Sequence, residues 1–149
     1  MSTTVQSVMT AIETQAATTF GSGWSKLRNV YDLSNLDGRA GNNSYGARPL
    51  AAADSPTHAP FKTYALNHRF EVILTDRVPE RSDDDSISSK IQGLYDKADE
   101  LYKDMVNTRI GIAAVCLVNN ISIEEPELLE GQQLVALRMQ FDVIYRQSL

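Results

Sequence analysis

Residues 63–76, TYALNHRFEVILTD, and residues 134–146, LVALRMQFDVIYR, decide the fold class. Successive side chains of an extended chain point to opposite sides. In the first stretch Tyr64, Leu66, Phe70, Val72 and Leu74 therefore share one face, and Thr63, Asn67, Arg69 and Glu71 share the other. In the second, Val135, Leu137, Met139, Phe141, Val143 and Tyr145 alternate with Ala136, Arg138, Gln140, Asp142, Ile144 and Arg146. Each pattern predicts a long, half-buried strand. Two strands of about 12 residues would each reach roughly 40 Å, at about 3.3 Å per residue, more than a small sheet needs for its own core. Strands of that length are expected to project and pair with a neighbouring subunit.

Between these strands Ile87, Ile91, Leu94, Ala98, Leu101 and Met105 recur at steps of four and three, the period of one helix face, which predicts a helix over 86–108. Asp83, Asp84 and Asp85 stand at its start, where carboxylates cap free N–H groups and suit the helix dipole. Ile110–Val118 suits a buried strand, Asn119-Asn120 marks a turn, and Ile121 and Ile123 continue or restart the strand. Glu124–Gly131 is expected to be an acidic turn around Pro126.

Upstream, Val5, Val8, Met9, Ile12, Ala16 and Phe20 form a helical stripe over roughly 3–20 that Gly21 and Gly23 end. Trp24, Leu27, Val30, Tyr31 and Leu33 suggest a short strand with imperfect alternation. The sum is an α+β class: a mainly antiparallel sheet of about four strands, a strand–helix–strand–strand core and an additional N-terminal helix. At 149 residues, 1–149 is expected to be one domain.

Residues 34–61 break this regularity. Gly38, Gly41, Gly46, Pro49, Pro56 and Pro60 are mixed with Asn42, Asn43, Ser44 and the run Ala51–Ala53. The stretch is expected to be a long flexible loop, and loops beyond about 12–15 residues are usually functional or ordered by a partner. Tyr45, Leu50 and Phe61 are its candidate interface anchors.

A hydrophobic share of 42% and a charged share of 22% are ordinary for a globular, soluble protein. No apolar run has the length of a membrane span, and the N-terminal residues lack the basic and apolar regions of a secretory signal. The net charge of −5 lies wholly in residues 62–149, with 10 basic and 15 acidic side chains against four of each in residues 1–61. Direct, tight nucleic-acid binding, which needs clustered Lys and Arg, is not expected.

Nothing in the chain assembles a catalytic, cofactor or metal motif. Cys116, the single cysteine, is embedded in apolar residues and reads as inert packing, not as a nucleophile for His58 or His68. His68 is in phase with an apolar strand face, as a satisfied buried or interfacial histidine would be. Asp83–Asp85 lacks the glycine and spaced oxygens of a calcium loop, and two histidines support no zinc site. Glu124, Glu125, Glu127 and Glu130 read as a solvated or electrostatically used turn. Neither Gly21-x-Gly23 nor Gly38–Gly46 has the strand, helix and lysine of a phosphate loop. No cofactor and no enzymatic activity are expected, and binding to other proteins is the function this leaves.

The strand YALNHRFEVILTDRV, the heptad-like helix and the closing strand LVALRMQFDVIYRQSL, ending in the form FDVIYRQ, resemble the tail terminator and related neck proteins of long-tailed bacteriophages over residues 62–149. The resemblance implies a non-enzymatic virion subunit, assembled in the host cytoplasm, that forms a hexameric ring on the tail tube. The ring would stop tube growth and meet the head-completion or stopper protein. DNA would pass through its channel without specific binding, and some of the acidic groups at Asp83–Asp85 and Glu124–Glu130 would face that channel, repelling phosphates. The 34–61 segment departs from the family, which leaves another neck or stopper protein open. A small enzyme or ligand-binding α+β domain is the reading from a different class.

Overall fold

The computed structural model describes residues 4–27, 30–31, 42–54, 63–78, 84–107, 117–129 and 134–148. In chain order they form α1 (Val5–Phe20), β1 (Ser25–Lys26), β2 (Ser44–Asp54), β3 (Thr63–Arg77), α2 (Asp84–Asn107), β4 (Leu117–Ile123), β5 (Glu127–Leu129) and β6 (Leu134–Ser148). The class is α+β. Two helices accompany a mixed six-stranded sheet of order β1-β2-β3-β6-β4, with β5 also on β6.

The two decisive stretches are neighbours at the sheet's centre. β3 and β6 pair antiparallel without a break from Thr63 opposite Ser148 to Arg77 opposite Leu134. Their length is used on each other, and β2 lies along β3 from Leu66 to Thr75 while β4 and β5 lie along part of β6. β3 and β4 both run antiparallel to β6, so β3–α2–β4 is a crossover between parallel strands with β6 inserted between them, a split β-α-β unit.

Both helices lie on one sheet face. Phe70, Val72 and Leu74 from β3 and Leu137, Met139, Phe141, Val143 and Tyr145 from β6 join Val8, Ile12, Ala16 and Phe20 of α1 and Leu94, Ala98, Leu101 and Met105 of α2 in one buried cluster. Fully burying each large side chain contributes roughly 1.5–3 kcal/mol, so this face carries most of the driving force. Thr19 Oγ1 donates to Asp104 Oδ2 at 2.6 Å and ties the helices together. α1 begins with a reciprocal cap, Ser7 N to Thr4 Oγ1 at 3.1 Å and Thr4 N to Ser7 Oγ at 2.9 Å. It ends at Gly21, whose φ of 80° suits a residue without a Cβ.

On the opposite face a smaller cluster forms where Leu27 and Val30 fold over Ile73, Leu134 and Ala136. Gly46 makes that close approach possible, since a Cβ there would lie 2.1 Å from Val30 Cγ1.

The expected loop at 34–61 is corrected in its middle: Ser44–Asp54 is β2, paired along β3. Its many small residues and prolines obscured the pattern, yet Tyr45 and Ala47 alternate into the core. Pro49 is tolerated because its pairing shifts between Pro49 and Ala52, as prolines in sheets sit at edges or bulges. Of the strand suggested around Trp24, Leu27, Val30, Tyr31 and Leu33, the described residues form Ser25–Lys26, and Leu33 lies outside them. The strand placed at Ile110–Val118 is described only from Leu117 and continues to Ile123, and the expected acidic turn contains β5 at Glu127–Leu129. Asp83, His58, Phe61 and Cys116 lie outside the described residues.

Two glycine substitutions should move stability in opposite directions. Gly93 is exposed within α2 with nothing near its would-be Cβ. Gly93→Ala should raise the unfolding free energy by about 1 kcal/mol, from helix propensity. Gly46→Ala should lower it by roughly 1–3 kcal/mol, through overpacking against Val30. Urea denaturation followed by circular dichroism measures both.

Candidate interaction surface

The helix-free face of the sheet is built from the polar positions of β3 and β6. Register places Arg69 opposite Asp142, Glu71 opposite Gln140 and Ile73 opposite Arg138, while β2 sets Arg48 beside Glu71. Glu71 is only 1% exposed. Burying a carboxylate costs several kcal/mol unless opposite charge and hydrogen bonds replace its water. Arg48 Nε at 2.5 Å and Arg138 Nη1 at 3.6 Å supply the charge, and Gln140 Nε2 donates to the other carboxylate oxygen at 3.4 Å.

Gln140 links this group to a second one. Its side-chain oxygen accepts from Arg69 Nε at 3.1 Å, and its nitrogen also donates to Glu124 Oε1 at 2.7 Å. Arg69 continues to Asp142 Oδ1 at 3.0 Å and Ser122 Oγ at 2.8 Å, and Asn120 Nδ2 donates to Asp142 Oδ2 at 3.0 Å. Asn120 occupies the left-handed region at φ 50°, which asparagine tolerates, where the pairing of β4 shifts between Asn119 and Ser122. Arg48, Arg69 and Arg138 retain 25%, 31% and 26% side-chain exposure, so their guanidinium groups are held by acceptors yet reachable from outside. Such a surface is ordered before any partner arrives, and side chains already fixed lose less entropy on docking.

His68 belongs to the other face. It is buried, with Nδ1 2.9 Å from the Tyr145 hydroxyl and Nε2 2.9 Å from the Leu50 carbonyl oxygen. The Nε2–H donates to Leu50, which fastens the irregular part of β2 to the sheet. This is the satisfied histidine expected from its phase. Around the second helix, Tyr95 and Tyr102 are exposed, and Asp99 beside Lys103 holds that ammonium's pKa above its ordinary value.

Of the six residues expected at an interface, the five that are described do not share one surface. Tyr45 is corrected: at 7% exposure it packs in the core with its ring 5.6 Å from Phe20, because it lies on β2 and not on a loop. Leu50 is half-buried on β2, engaged through its carbonyl, and Phe61 is outside the described residues. Glu124, Glu125 and Glu127 are exposed together at the β4–β5 edge, beside exposed Ile123 and Leu128. The Glu71 network went unforeseen; its residues were visible as polar alternates, but only register reveals that they meet.

Among the described residues no group of three or more His, Cys, Asp or Glu side chains could hold a metal ion, and no helix is long and apolar enough to cross a membrane. No protein-family model and no curated protein matches this chain.

Because Arg48 and Arg138 compensate the same buried charge, their removal should be coupled. Arg48→Ala and Arg138→Ala together should cost about 0.5–3 kcal/mol more than the sum of the single changes. A double-mutant cycle in urea measures this, and additive behaviour would show that Glu71 does not depend on the pair.

Proposed function

We propose that this chain is a non-enzymatic structural subunit of a virion neck, akin to a long-tailed phage tail terminator. It forms a ring on the end of the tail tube and meets the head-completion or stopper protein. One observation carries the reading: the sheet puts both helices on one face and holds a fixed polar network on the other, beside the small cluster under Leu27 and Val30, with lateral edges open among the described residues. A preorganised, charge-balanced surface suits docking between rigid subunits better than it suits chemistry on a small molecule. The two stretches that carry the family resemblance are the central strands β3 and β6, which adds support. Assembly would take place in the host cytoplasm. DNA would pass through the ring without specific contacts, in keeping with a net charge of −5.

Mixing the purified chain with the tail-tube protein of the same virion should give hexameric rings capping tube ends, seen by negative-stain imaging, and tubes of limited length. Tubes that grow unchecked, with this chain remaining monomeric by native mass spectrometry, would reject the reading.

A further inference from the structure

We draw no further inference here: the strongest candidate, the surface patch of exposed Tyr95 and Tyr102 on α2 with exposed Ile123 and Leu128 on the neighbouring β4–β5 edge, is an unpartnered apolar face, and nothing in the structure shows what covers it.

Discussion

The continuous antiparallel pairing of β3 with β6 is the constraint on which the other elements depend. It fixes which side of each strand faces the helices, because slipping the register by one residue would send every apolar side chain of β6 to the polar face. Phe70 against Phe141, Val72 against Met139 and Leu74 against Leu137 then make a ready-formed apolar floor. The helices settle on that floor, and β2 and β4 add to its sides. The same register gathers Arg69, Glu71, Gln140 and Asp142 on the reverse. The core and the polar network are two consequences of one alignment.

Legibility in the sequence followed residue size and period. β3, β6, α1 and α2 were readable because large apolar residues repeat at two or at three and four, and nothing local competes with those periods. β2 was hidden, since Gly46, Ala47, Pro49, Ala51 and Ala52 present little apolar bulk. It is a strand because β3 offers a free edge, with Tyr45 and His68 supplying the anchors. That is tertiary context overriding local preference. β1 and β5 are too short to carry a pattern. Of the candidate surface, the glutamates were legible as an exposed acidic cluster, whereas the Glu71 group was not. No single-chain pattern tells that Arg48, distant in sequence, comes to lie beside it.

The two faces also differ in how they tolerate change. Apolar packing on the helix side is distributed over many side chains, so one shortened residue leaves the rest in place. On the polar side a few arginines answer one buried carboxylate, and removing charge there leaves an uncompensated ion. Sequence drift should therefore be freer among the sizes of core residues than among the charges of the sheet's helix-free face.

The insertion of β6 between β3 and β4 has a consequence for how the protein is made. β6 follows every other described element along the chain yet occupies the middle of the sheet. While the ribosome is still translating, β3 and β4 have no strand to join them, and their apolar faces and unpaired edges stand open until β6 emerges. Contacts between segments so far apart in sequence form slowly, and open edges invite mispairing with other nascent chains on the same messenger. The finished sheet closes from the centre outward, so a polypeptide interrupted before β6 would go to the chaperones and proteases of the cell.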